Sequence, residues 1–209
     1  MTITIFGATG MVGKHLVKQA LIMGHTVKAF GRNVFTSHFA DNDQLHLIQG
    51  ALFDAREVAQ AIKGSDAVIS ALGGAVDGSD KTRSLGIKNI VAQMEKAGLQ
   101  RLIAVGGMGV LNAPDDSLLL DDENYPEEFI PVGHEHLKAY EILKASSLNW
   151  TFVCAPDIIE ADVTGVYRTA ADYPPTPNAY KINAGDLAMF MLTELKKDQY
   201  GKKRVGISN

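Results

Sequence analysis

Apolar runs of strand type alternate along this chain with longer stretches of helical character. Ile3-Thr4-Ile5-Phe6 opens the series, and a helix-like stretch, His15-Leu16-Val17 through Leu21-Ile22-Met23, follows it. Thr26 to Phe30 reads as a second strand, Leu45 to Ile48 as a third, and Ala55 to Ile62 as a helix. A fourth strand, Ala67 to Leu72, is stopped by Gly73-Gly74. Thr82 to Ala97 is a helix carrying Leu85, Ile87, Ile90, Val91 and Met94, with Gly98 as its C′ residue. Leu102 to Val105 is a fifth strand ended by Gly106-Gly107, Gly133 to Ser146 a helix, and Trp150 to Cys154 a sixth strand. Asn183 reads as an N-cap with Asp186 in the first turn of a helix running to about Lys196. Arg204 to Ile207 is a last short strand. Near-continuous apolar strands separated by helices predict an α/β fold with a parallel sheet covered on both faces.

Two stretches break the alternation. Residues 109–132 are long and acidic, with Asp115, Asp116, Asp121, Asp122, Glu123, Glu127 and Glu128. Residues 157–181 hold Pro174, Pro175, Pro177 and several tyrosines. Both follow strand C-termini, the edge where open α/β sheets bind ligands, so both are expected to be substrate-side loops.

The first strand runs into Gly7-Ala8-Thr9-Gly10-Met11-Val12-Gly13 before the first helix. Strand, glycine turn and helix start are the parts a dinucleotide pyrophosphate requires. Backbone N–H groups and the positive end of the helix dipole meet the phosphates there. Gly7 permits the turn, Gly10 lets the backbone approach a phosphate, and Gly13 lets the helix pack on the strand. The spacing is G-x-x-G-x-x-G, and the βαβ context gives it weight. The expectation is one Rossmann-type, doubly wound NAD(P)-binding domain over residues 1–209.

Composition narrows the alternatives. Of 209 residues, 46% are apolar and 21% charged, an ordinary globular balance. A net charge of −4 gives no reason to expect nucleic acid or an anionic membrane as partner. No signal peptide and no membrane span are expected. The lone cysteine, Cys154, lies in an apolar run and reads as a small buried hydrophobe. Without a disulfide, a reducing, cytoplasmic setting is expected. The partner predicted is a small-molecule substrate, and the state a monomer or weak homo-oligomer.

The end of the second strand chooses the dinucleotide. A carboxylate there would bind the ribose hydroxyls of NAD, whereas an arginine neutralises the 2′-phosphate of NADP. Phe30-Gly31-Arg32-Asn33 stands at that position and no carboxylate appears before Asp41. Arg32 therefore points to NADPH over NADH.

These segments, together with Asp66 to Gly73 and Leu148 to Pro156, resemble the atypical short-chain dehydrogenase/reductases. The branch most similar is the NAD(P)H-binding, NmrA-like group that includes the flavin and biliverdin-IXβ reductases. The resemblance implies that Gly7 to Gly13, with Thr9, Met11 and Val12, cradle the pyrophosphate and that Arg32 and Asn33 meet the 2′-phosphate. It puts Ala51, Leu52 and Asp54 beside the adenine, although relatives often carry Asp where Ala51 stands. Ala71, Leu72 and Gly73 would line the path to the nicotinamide, Gly106-Gly107 falls where many relatives have serine, and Pro156, Asp157 and Ile158 would face the carboxamide.

Catalytic residues are less legible. Many members of the superfamily use a Tyr-x-x-x-Lys pair as proton donor and ribose holder. Tyr140-Glu141-Ile142-Leu143-Lys144 spells that pair, but the slots counted back from the sixth strand are Val132 and His136. Tyr140 is displaced by ~12 Å at about 1.5 Å per residue, so it reads as an ordinary helix residue. His136 matches the region where the flavin-reductase branch places a pocket-lining histidine, and it is the candidate catalytic residue. His134 reads as exposed. A metal is not expected, since His134 and His136 point to different helix faces. The function implied is NADPH-dependent hydride transfer to a planar acceptor, flavin-like, quinone or tetrapyrrole. The alternative is an NADP-binding redox sensor without turnover.

Overall fold

The computed structural model describes residues 1–209. In chain order the elements are β1 (Thr2–Phe6), α1 (Met11–Ile22), β2 (Thr26–Gly31), β3 (Leu45–Gln49), α2 (Ala55–Ile62), β4 (Ala67–Ser70), α3 (Thr82–Ala97), β5 (Arg101–Gly107) and α4 (Ile130–Ala145). They continue with β6 (Asn149–Ala155), β7 (Asp157–Ile159), β8 (Arg168–Ala171), β9 (Lys181–Asn183), α5 (Ala184–Lys197) and β10 (Lys203–Ser208). Eight strands form one sheet in the order β3-β2-β1-β4-β5-β6-β10-β8. The chain winds outward from β1 through β2 to β3, then returns and winds the other way from β4. The C-terminal ends of β1 and β4 thus flank the crevice where a doubly wound sheet binds its ligand.

Side-chain alternation explains the two covered faces. Ile3 and Ile5 of β1 face one cluster with Leu16, Val17 and Ala20 of α1 and Leu187 and Met191 of α5. Phe6 of β1 and Val68 of β4 face the other, with Val58 and Ile62 of α2, Ile87 and Ile90 of α3, and Leu143 of α4. Cys154 is fully buried in that second cluster, and burial raises its thiol pKa, so it packs as a small apolar side chain. Gly98 ends α3 in the left-handed conformation with φ 69°, as a C-terminal glycine should.

Several expectations are corrected. The sheet is not wholly parallel, because β8 pairs antiparallel with β10 at its edge. Residues 157–181 are not a plain loop: they contain β7 and β8 and run into β9, with β7 and β9 paired parallel in a small second sheet. Arg168-Thr169-Ala170-Ala171 has no apolar run because an edge strand is covered on fewer sides. Helix α4 starts at Ile130 rather than Gly133, since Pro131 is tolerated in a first turn, where its missing N–H has no intrahelical acceptor. Within 109–132, a short 3-10 turn at Leu119–Asp121 is anchored by buried Leu120 and by the Leu119 N–H, which donates to the Leu111 carbonyl (2.9 Å), and a second at Glu127–Phe129 buries no side chain and leads into α4. Asn183 does stand at the start of α5, but its side chain donates to Asp186 (3.1 Å) instead of capping a backbone N–H.

Candidate active site

The loops leaving β1 to β6 gather along one edge of the sheet, and the glycine turn lies at its centre. Gly7 has φ 76°, and a Cβ there would stand 2.4 Å from the Ala71 carbonyl oxygen. A Cβ on Gly13 would stand 2.0 Å from the Gly7 carbonyl oxygen. The fold itself therefore demands both glycines. Gly10 is different: its φ is −77° and the nearest atom to a Cβ would be 3.4 Å away, an ordinary contact. Nothing in the protein needs a glycine there, and Gly10 is exposed.

The amides next to it are equally unclaimed. The N–H groups of Met11, Val12 and Gly13 find no acceptor in the protein, and the first turn of α1 has no acidic residue and no side-chain cap. The positive end of the helix dipole is left uncompensated where an anion fits. Thr9 packs beside Gly31 at the end of β2, its Cγ2 lying 3.5 Å from where a Cβ on Gly31 would be.

At the end of β2, Arg32 and Asn33 are exposed, and the Arg32 guanidinium forms no ion pair. The backbone beneath is fixed: the Arg32 carbonyl accepts from Gln49 Nε2 (2.9 Å), and the Asn33 carbonyl from Thr36 Oγ1 (3.0 Å). After β3, the Ala51 N–H donates to the Glu57 carboxylate and the Leu52 carbonyl accepts from Asn89 Nδ2 (2.8 Å). Asp54 caps α2, accepting from the N–H groups of Arg56 (2.8 Å) and Glu57 (3.1 Å). Leu52 and Leu72 converge on α3, where a Cβ on Gly86 would stand 2.6 Å from each. Ala71 and Leu72 line the crevice beside the glycine turn, and Gly73 has open space around it.

The ends of β5 and β6 make the deeper part. Gly106 is buried, and a Cβ there would meet the Phe152 ring at 2.5 Å. Gly107 rather than Gly106 borders the His136 side: its Cβ would stand 2.6 Å from the His136 ring. Pro156 and Ile158 are half-buried and Asp157 is exposed, its N–H donating to the Tyr180 carbonyl (3.3 Å). Burial, and then the positive charge of Arg83, push the pKa of His136 down to about 3, against the opposing carboxylate of Glu135. The imidazole is neutral at physiological pH. His134 is exposed. Tyr140 is half-buried: it stacks on Phe152 (centroids 6.3 Å) under the Arg204 guanidinium (5.0 Å), packed against the apolar layer.

Sequence reasoning passed over Arg83 and Ser84 and left Glu135 without a role. Arg83 donates to the carbonyls of Gly74 and Ala75, both at 3.0 Å. Glu135 is buried and accepts from Ser84 Oγ (2.6 Å) and Lys138 Nζ (3.1 Å). One signal was available: a cation in the first turn of a helix opposes the dipole, so Arg83 asks for another role. Two surface hollows, about 710 Å³ between α2 and α3 and about 550 Å³ between α1 and residues 37–45, lie away from the crevice. Neither includes the glycine turn, and the free amides mark the site instead.

A family model described as NAD(P)H-binding matches residues 7–198. The chain belongs to this NAD(P)H-binding family. Among relatives, YwnB of Bacillus subtilis is 28% identical, over 98% of this chain and 96% of that protein. The photosystem II assembly factor Ycf39 of Synechocystis is 25% identical over 97% of this chain, which spans only 61% of that longer protein. Among solved structures, a Streptococcus pneumoniae protein provisionally named an NADH-flavin reductase is 30% identical, with a TM-score of 0.84, over 100% of this chain and 99% of that one. A nicotinamide dinucleotide is thus the cofactor of this family's fold, and the fold is that of an oxidoreductase. No helix is long and apolar enough to cross a membrane.

Proposed function

We propose that this protein is an NADPH-dependent reductase that passes hydride to a planar small-molecule acceptor, flavin-like, quinone or tetrapyrrole. The observation that carries the reading is Gly10: a glycine the fold does not require, beside amides that no protein atom uses. A pyrophosphate explains both. In this reading Gly7, Thr9, Gly10, Met11, Val12 and Gly13 hold the diphosphate, and Arg32 with Asn33 holds the 2′-phosphate. Ala51 and Leu52 flank the adenine, and Ala71, Leu72 and Gly73 lead to the nicotinamide. Pro156, Asp157 and Ile158 border its carboxamide, at the end of the strand pair that contains Gly106. His136 meets the acceptor. When bound, the cofactor supplies a hydride, and the chain supplies orientation and exclusion of water, which account for most of the rate in such transfers. The protein acts in the cytoplasm as a monomer or weak homo-oligomer.

Purified protein with NADPH and FMN or a quinone should oxidise the NADPH, and a panel without turnover defeats the reading. Arg32→Ala should weaken NADPH by about tenfold, the value of one exposed charge-assisted contact, and leave NADH nearly unchanged. Equal losses for both refute the 2′-phosphate assignment. A second reading is favoured by one observation: Tyr140, of the literal Tyr-x-x-x-Lys string, is stacked on Phe152 and edge-on to Trp150 in the packing between α4 and β6. That supports an NADP-binding sensor, which would bind the nucleotide by calorimetry and turn over nothing.

A further inference from the structure

The turn that leaves β3 holds a carboxylate that the fold only half uses. Glu57 stands in the first turn of α2, which Asp54 caps. A glutamate at that place ordinarily reaches back to the N–H of the capping residue. Here the Asp54 N–H donates to the Ala51 carbonyl (3.0 Å), and Glu57 Oε2 reaches further, to the Ala51 N–H. Its Oε1 meets no donor in the protein, and the side chain is exposed and joins no ion pair. The next amide is also unclaimed. The Leu52 N–H finds no acceptor, while the Leu52 carbonyl is fixed by Asn89 Nδ2 (2.8 Å). One free acceptor and one free donor thus flank the same turn.

Their place relative to the crevice decides what they meet. Strands β1, β2 and β3 are successive neighbours in the sheet, about 4.8 Å apart. The glycine turn follows β1 and Arg32 follows β2. The Gly50 N–H, at the end of β3, donates to the Gly31 carbonyl (3.4 Å), so the Glu57 turn lies beside Arg32. A dinucleotide with its diphosphate on the first turn and its 2′-phosphate at Arg32 carries its base outward, to the turn after β3. Leu52 and Leu72, which converge on Gly86, give that base an apolar wall. Gly50 keeps the place open: a Cβ there would stand 2.6 Å from the Phe30 ring and 3.0 Å from Glu57 Oε2.

We propose that Glu57 is the residue that reads the base of the cofactor, its Oε1 accepting from the exocyclic amine of a 6-aminopurine while the Leu52 N–H donates to ring N1. The inference rests on the dinucleotide placement above. It deepens that placement by assigning base specificity to a helix side chain rather than to the strand end, where Ala51 offers no polar side-chain atom. Along that edge adenine presents a donor and then an acceptor, the complement of what Glu57 and Leu52 present. Hypoxanthine and guanine present the reverse, a carbonyl oxygen and an N1–H. The carboxylate would then face the carbonyl oxygen and the two N–H groups would face each other, so both contacts are lost together. Glu57 forms no ion pair with Arg32, which leaves the guanidinium free for the 2′-phosphate.

Calorimetric titration of the full chain with NADPH, and with its hypoxanthine analogue in which an oxygen replaces the amine, tests this. The parent should prefer NADPH by about ten- to a hundredfold, the worth of a hydrogen bond to a charged group. Glu57→Gln keeps the length of the side chain and an oxygen for the Ala51 N–H, and it presents an N–H to the base. Its preference should fall close to parity, chiefly through weaker NADPH binding. A Glu57 that only braces the turn would weaken both nucleotides alike and leave their ratio where it was, and that result overturns the proposal. A parent that binds both nucleotides equally overturns it without any variant and leaves the cofactor reading standing. If neither nucleotide binds, both readings fall.

Discussion

Gly10 and Gly13 are three residues apart in one turn, yet their alanine variants should fail in opposite ways. At Gly10 the backbone conformation suits alanine, and the new methyl carbon would lie 3.4 Å from its nearest neighbour. Loss of backbone freedom in the unfolded chain favours the variant by about 0.4–1 kcal/mol, and a poorer N-cap takes back a similar amount. Stability should therefore stay within about 0.5 kcal/mol of the parent. Affinity should not, because the methyl stands where the pyrophosphate reaches the free amides. Losing one hydrogen bond to a charged group, worth about 1.5–3 kcal/mol, weakens NADPH roughly ten- to a hundredfold. At Gly13 the methyl would fall 2.0 Å from the Gly7 carbonyl oxygen and 2.7 Å from Ala8 Cα, both backbone atoms. Overpacking against atoms that cannot swing aside should cost about 3 kcal/mol, or roughly 6–12 °C in Tm for a chain of this size. Thermal unfolding without nucleotide and calorimetric titration with NADPH separate the two effects. If Gly10→Ala binds NADPH as the parent does, the pyrophosphate is not at this turn.

Other outcomes follow from the same geometry. His136, with a folded-state pKa of about 3, and His25, buried without partners and lowered by burial, the N-terminus and Lys196, both take up protons on unfolding. For His136, stability should be full above the unfolded value near 6.5 and fall toward pH 3 by up to about 1.4 kcal/mol per pH unit, and the lowered His25 adds a loss in the same direction. Urea titrations of His136→Asn across that range should show a flatter acid limb, and an unchanged limb would contradict the buried neutral ring. Tyr140→Phe should leave turnover intact, because the ring packs and the hydroxyl has no role, whereas Tyr140→Ala should lose about 2–4 kcal/mol of stability. A large fall in kcat for the phenylalanine variant would restore Tyr140 as a proton donor. Asp186 is fully buried and accepts from Thr164 N and Oγ1, Gly165 N, Asn183 Nδ2 and Asn209 Nδ2. Asp186→Ala should cost about 3–5 kcal/mol by orphaning those donors, and hydrogen exchange should rise first in residues 160–166.

The parallel strands were legible because burial on both faces writes itself as continuous apolar sequence, as in Ala67 to Ser70. The small strands were not: Asp157–Ile159 and Lys181–Asn183 are too short for any period, and β8 is an edge. The glycine turn was legible by spacing, but only the contacts separate Gly10 from Gly7 and Gly13. His136 was reached by likeness to relatives, whereas its neutrality comes first from burial between α4 and the end of β5 and then from the charge of Arg83 on α3, fifty-odd positions away in sequence. Such a meeting of two helices leaves no local pattern to read.

The imidazole of His136 occupies the volume that any side chain at position 107 would claim. The two positions are thus bound as alternatives. A serine at position 107 would require the ring to shrink or swing aside. A serine at the end of β5 beside an intact pocket therefore calls for a paired change at positions 107 and 136.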